Sequence, residues 1–250
     1  MSLSDFTYRS YLDTLELILM NGYSFASYHN YTDFRLPCIM RHDIDFDVNA
    51  ALRLAKLESG FLKELNSTFF VLLSTNYYNV FSRDTTTALN SILALGHEIG
   101  LHFDEKKYGS EVPVTIIDAV QEEAYILGRM LGTKIRAVSM HRPSEYTLEA
   151  DYSFEGLKNS YSQVFWREFK YLSDSRMHWS ENAESIIASG QHARLHILTH
   201  AFWYSDDEIT TREKLLRFIT SATQERYDNM ANSIRDISEF VTREDIITWN

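Results

Sequence analysis

The chain has 250 residues, 44% hydrophobic and 24% charged, which suits a soluble globular protein with a large buried core. A formal net charge of -11 makes nucleic-acid phosphate and anionic membrane poor partners. One cysteine, Cys38, excludes an intrachain disulfide, and no run approaches the roughly 18 apolar residues of a membrane span.

The N-terminus reads Met-Ser-Leu-Ser-Asp-Phe, without a basic stretch followed by an apolar one. The expectation is a cytoplasmic chain with no signal peptide. Residues 4–22 read as a helix with Tyr11, Leu12, Leu15, Leu17, Ile18 and Leu19 on a broad apolar face, ended by Asn21-Gly22. Residues 37–45 read as a buried strand ending in charge, with Cys38 as a small core residue. Asp47 is a candidate cap for a helix carrying Val48, Ala51, Leu52, Leu54 and Ala55. A strand over 67–74 follows, then a helix capped by Asp84 and stopped at Gly96. Residues 97–103 form the next strand, 114–131 a helix stopped by Gly132, and 134–141 another strand. Beyond this the pattern loosens, with short strand candidates at 162–166 and 170–174. A helix over 181–189 closes at Gly190, 192–200 is the last strand, and 207–241 is helical and polar-faced.

Strand–helix alternation at this spacing implies a parallel sheet. About seven strands in a chain of this length suit a barrel better than an open sheet, although a doubly wound sheet fits the same pattern. The expected fold is α/β, a distorted (β/α)7-type barrel with parallel strands. Only nine Gly and three Pro are present, and no linker divides the chain, so residues 1–250 read as one domain. It has a helical lead-in over 1–36, a barrel core over 37–203 and C-terminal helices over 204–250.

Several strands end in ionisable residues: His42-Asp43-Ile44-Asp45, His102-Phe103-Asp104, His141-Arg142 and Thr199-His200. In a parallel barrel these ends converge on one rim, where active sites lie. Asp43 and Asp45 share a face because strand side chains alternate, and His42 points the other way, towards the helices. His97 and His102 are five residues apart, about 16 Å along a strand, so His97 lies at the far end and reads as structural. His196 reads as buried, and His29, His178 and His192 default to structural or surface roles. One carboxylate with two imidazoles suits a hydrolytic divalent-metal site. A second carboxylate then takes a proton, and a third imidazole protonates a leaving group.

These segments resemble the polysaccharide deacetylases of the carbohydrate-esterase class, over roughly residues 37–203. Arg41-His42-Asp43-Ile44-Asp45 stands where that family has two aspartates, and the separated pair is similar to divergent branches of His-Asp-x-Asp form. Ser67-Thr68-Phe69-Phe70, Gly96-His97-Glu98-Ile99-Gly100, Arg142-Pro143, Ser173-Asp174-Ser175 with Trp179, and Leu198-Thr199-His200 resemble further family motifs. The resemblance implies a distorted (β/α) barrel that removes acetyl groups from sugars with one divalent metal ion. Zinc is the first candidate, with cobalt, iron and manganese as alternatives. It makes Asp43 the base, Asp45 and His102 metal ligands, Arg142 the residue that orients the base, and His200 the acid, held by Asp174. The family's second metal histidine falls on Lys106. Either the metal is lost or another residue replaces that ligand, and His141, at the end of the next strand, is the natural candidate. Lys106 can also point to solvent and take no part.

The implied substrate is an acylated amino sugar or glycoconjugate, such as a precursor of a surface polysaccharide, with no nucleic acid and no integral membrane segment. The sequence leaves the oligomeric state open. Aromatic residues are abundant, at 14%, and are assigned to the core before sugar stacking. Trp203, Tyr204, Trp166 and Tyr146 are candidates to flank a sugar ring. Two other readings stand beside the deacetylase: an inactive barrel that binds carbohydrate or protein, and another metallo-amidohydrolase.

Overall fold

A computed structural model describes residues 5–108 and 115–248, with side chains to residue 246. Ser4 and Val114, the first residues of two expected helices, lie outside the described residues. Helix α1 spans Tyr8–Met20 and starts at a capping box in which Thr7 and Ser10 satisfy each other's backbone N–H. Tyr11, Thr14, Leu15 and Ile18 bury one stripe, whereas Leu19 is exposed. Strand β1, Ser24–Ala26, is too short to show a period in the sequence. Strand β2, Pro37–Ile44, is buried at every residue.

Helix α2, Val48–Phe61, is capped by Asp47, which accepts from Asn49 N at 2.8 Å and Ala50 N at 3.1 Å. Strand β3 is Thr68–Leu72. Helix α3, Arg83–Ala94, is capped by Ser82 rather than Asp84, which lies in its first turn. Strand β4 is Glu98–Phe103. Helix α4, Ile116–Leu131, begins at Thr115 and stops at Gly132, whose φ of 64° suits a residue without Cβ.

Strand β5 is Ala137–Met140, followed by helix α5, Glu145–Glu149, and the two-residue strand β6, Lys158–Asn159. The expected strand at 162–166 is instead a π-helical turn over Val164–Glu168 with Phe165 buried. Strand β7, Lys170–Ser173, helix α6, Ala183–Ser189, and strand β8, Leu195–Thr199, complete the sheet-bearing part.

The sheet is parallel throughout, in the order β6-β5-β4-β3-β2-β8-β7, with β1 beside the start of β2. The end strands β6 and β7 are not paired, so the distorted barrel is curled but open. The curl is visible in Arg41 on β2, which reaches Ser139 on β5 and Ser160 beyond β6. Tyr28, Ile39, Phe70, Ala137, Phe165 and Phe169 form one buried apolar cluster. Close packing there requires Gly100, because a Cβ at that position would lie 2.5 Å from two atoms of the Phe70 ring.

The chain divides into two compact units, Met1–Asp206 and Asp207–Asn250. The second contains helix α7, Thr211–Ser233, capped by a Thr210/Glu213 box, and helix α8, Arg243–Thr248. No residue of α7 is buried. No helix among the described residues is long and apolar enough to cross a membrane.

Candidate metal and active site

Side chains alternate along β2, so Arg41, Asp43 and Asp45 share one side and His42 takes the other. Asp45 Oδ1 lies 3.2 Å from His102 Nε2 and 3.3 Å from His141 Nδ1. The two imidazole nitrogens are 3.1 Å apart. His102 belongs to β4, where its Nδ1 lies 3.3 Å from the Ser139 carbonyl, leaving Nε2 towards the triad. His141 follows β5, and its N–H donates to the Phe103 carbonyl at 2.7 Å, so the β4–β5 ladder fixes its place.

These three residues fit a divalent ion. Ligand atoms held about 2.0 Å from a tetrahedral centre stand about 3.3 Å from each other. Asp45 Oδ1 is buried and makes no hydrogen bond, although both imidazoles are close. Burial alone would raise the Asp45 pKa, but the histidines around it hold it well below the carboxylate range. Its backbone is braced by the loop after β3: Thr75 Oγ1 donates to the Asp45 carbonyl at 3.1 Å and Tyr78 Oη to the Ile44 carbonyl at 2.7 Å. Lys106 is exposed in the turn Glu105–Lys107 and does not join the triad.

Asp43 and His200 flank the triad. Asp43 is 4% exposed, and its Oδ2 lies 3.6 Å from His102 Nε2. Burial opposes its charge, but Arg41 first, then His102 and His200, hold its pKa below the ordinary value. His200 follows β8, and its Nδ1 lies 2.7 Å from Asp174 Oδ1. The His200 N–H also donates to both Asp174 oxygens, at 3.0 and 3.1 Å. This leaves Nε2 facing the triad, 3.9 Å from Asp45 Oδ2. Burial would lower the His200 pKa, yet the hydrogen bond and charge of Asp174, with Asp45 and Asp43, push it up to about 9.

Two placements differ from the sequence expectation. Arg142 is exposed at φ 49°, and the guanidinium beside Asp43 belongs to Arg41, whose Nη2 donates to Asp43 Oδ2 at 2.7 Å. The turn after β5 carries Arg142 outward, whereas Arg41 stays on the face of β2 that Asp43 occupies. Strand parity contains this signal, since 41, 43 and 45 alternate together. Trp203 and Tyr204 are only 7% and 1% exposed: Trp203 packs against Phe46 and Phe202, and Tyr204 packs against Phe6 and Tyr11 and bonds to Asp174. Tyr146 and Trp166 are exposed. Cavities of about 510 and 540 Å³ lie beside α4 and around the start of β6, and the triad residues do not line them.

No family model matches the chain, and no curated protein matches it by sequence. Solved structures with a similar backbone include IcaB from Ammonifex degensii, at 16% identity and TM-score 0.38, covering 57% of this chain and 70% of that one. A family 4 carbohydrate esterase from Bacillus anthracis matches at 14% identity and TM-score 0.41, covering 94% of this chain and 92% of that one. The chitin deacetylase from the fungal pathogen Colletotrichum lindemuthianum matches at 14% identity and TM-score 0.40, over 74% and 81%. Likeness of this degree leaves function to be argued from side-chain geometry.

Proposed function

We propose that this chain is a metal-dependent hydrolase that removes an acyl group, first of all N-acetyl, from an amino sugar or glycoconjugate. The observation that carries this reading is the Asp45 Oδ1, His102 Nε2 and His141 Nδ1 triangle, with edges of 3.1–3.3 Å, between a free carboxylate oxygen and an Asp-held histidine. The sequence motifs that resemble the polysaccharide deacetylases supply the substrate class.

Asp45, His102 and His141 would hold one divalent ion, with zinc as the first candidate. When bound, such an ion acidifies water and polarises the acyl carbonyl. Asp43 Oδ1, buried and without a hydrogen bond, accepts the proton of the attacking water. Asp174 orients His200 through Nδ1, so Nε2 delivers a proton to the departing amine. Water adds to the acyl carbon, the C–N bond breaks, and a carboxylate and a free amine result.

The test is elemental analysis of tag-free protein together with acetate release from a panel of N-acetylated amino sugars. About one metal per chain, lost in both His102→Ala and His141→Ala, with acetate release by the wild type, is the expected result. Absence of metal after reconstitution with Zn²⁺, Co²⁺ or Mn²⁺ would overturn it and leave a binding barrel.

A further inference from the structure

Two carboxylates line the inward side here, Asp43 within β2 and Asp45 just past its end, and only Asp45 belongs to the metal triad. The difference originates one step deeper in the barrel. Arg41 is fully buried. Its Nη2 donates to Asp43 Oδ2 at 2.7 Å and to Ser139 Oγ at 2.6 Å, and its Nη1 donates to Ser160 Oγ at 2.9 Å. The guanidinium carbon lies 5.3 Å from the Phe70 ring centre and 5.0 Å from that of Tyr161. Hydroxyls from β5 and beyond β6, with two aromatic rings, therefore hold this cation in one place.

Asp43 Oδ2 is only 3.6 Å from His102 Nε2, a ligand of the proposed metal. Released from Arg41, this carboxylate would be near enough to join the ion that Asp45 would hold. A fourth protein ligand would occupy a position that a hydrolytic site keeps open for water and substrate. Meanwhile Asp43 Oδ1 is buried with no hydrogen-bond partner.

We infer that Arg41 is a positioning residue that keeps Asp43 out of the metal's ligand set and leaves Oδ1 free to take a proton. The inference rests on the metal site proposed above. The division of labour between two equivalent aspartates is set by the third inward residue of their own strand.

Titration of metal-free protein with Co²⁺, read by its visible absorption bands and by chelator competition, tests this without a substrate. Wild type binds one Co²⁺. Arg41→Met binds it about tenfold or more tightly, with altered bands as a further carboxylate joins the ion. The Arg41→Met/Asp43→Asn double variant returns to the wild-type bands, and Arg142→Ala matches wild type. Should Arg41→Met not fold by circular dichroism, Ser139→Ala/Ser160→Ala removes the anchors of the guanidinium and shifts the bands in the same direction. Unchanged bands and affinity in folded variants, beside a wild type that binds Co²⁺, overturn the role of Arg41 and leave the metal site standing. A wild type that binds no Co²⁺ overturns both.

Discussion

The two faces of β2 carry similar residues in opposite states. On the outward face His42 is fully buried, with Nδ1 2.6 Å from Thr199 Oγ1 and Nε2 3.0 Å from Glu58 Oε1. Glu58 also accepts from the Tyr11 hydroxyl, and His97 Nε2 lies 3.0 Å from the Ala55 carbonyl. On the inward face Asp45 Oδ1 and Asp43 Oδ1 are buried without a hydrogen bond. Burial of ionisable groups therefore does not distinguish function from structure in this protein. The outward histidine spends both ring nitrogens on fixed neighbours, whereas the inward groups keep atoms open towards a common point.

Substitution of an inward group should remove chemistry and spare the fold. Asp45→Asn is expected to lose its metal and to drop hydrolysis on the order of a thousandfold. The melting temperature of its metal-free form should fall only modestly, because the lost attraction between the carboxylate and its neighbouring histidines is partly offset by relief of its burial. A large drop in that melting temperature would erase the contrast between the faces.

The outward counterpart is Glu58→Ala. It strands His42 and Tyr11 and is expected to cost about 3–5 kcal/mol in denaturant unfolding. Metal content per folded molecule should match wild type. Loss of metal from the folded fraction would couple the two faces.

Acid sharpens the comparison through buried histidines that serve only structure. His196 lies 2.7 Å from Tyr28 Oη and 3.3 Å from the Phe165 carbonyl. Burial first, and the charge of Arg41 second, lower its pKa from 6.5 to about 3. The unfolded chain therefore binds this proton before the folded one. The contribution is complete above the unfolded value and falls by about 1.4 kcal/mol per pH unit until the folded value is reached. Glu58, whose folded pKa is also depressed, adds stability that is lost as pH falls through that folded value. Denaturant melts from pH 7.5 to 4 should show the decline, and His196→Gln should flatten it. A wild-type stability that does not change over that range would contradict the assignment of His196.

The smallest effect is expected at Lys106, which is exposed. Lys106→Ala should leave metal affinity within about twofold, as for surface changes away from partners. A larger shift would bring this residue into the site.

Much of the architecture is legible because its causes are local. Asp47 caps one helix, and Gly132 and Gly190 end two others, through interactions within a few residues of each end. Strand alternation alone places Asp43 beside Asp45 and turns His42 away. Strand β1, helix α5 and strand β6 are too short to carry a period, and residues 162–166 read as a strand although Val164–Glu168 forms a π-helical turn. The meeting of Asp45 with His102 and His141, and the choice of Arg41 over Arg142 as neighbour of Asp43, arise only in the tertiary structure. Those contacts join separate strands, and their distances depend on the register and curl of the whole sheet. Curl is set by packing summed over the core, with Phe70 seated on Gly100 as one part of it. Local sequence thus determined which residues reach the rim, and the curvature of the sheet decided which atoms meet there.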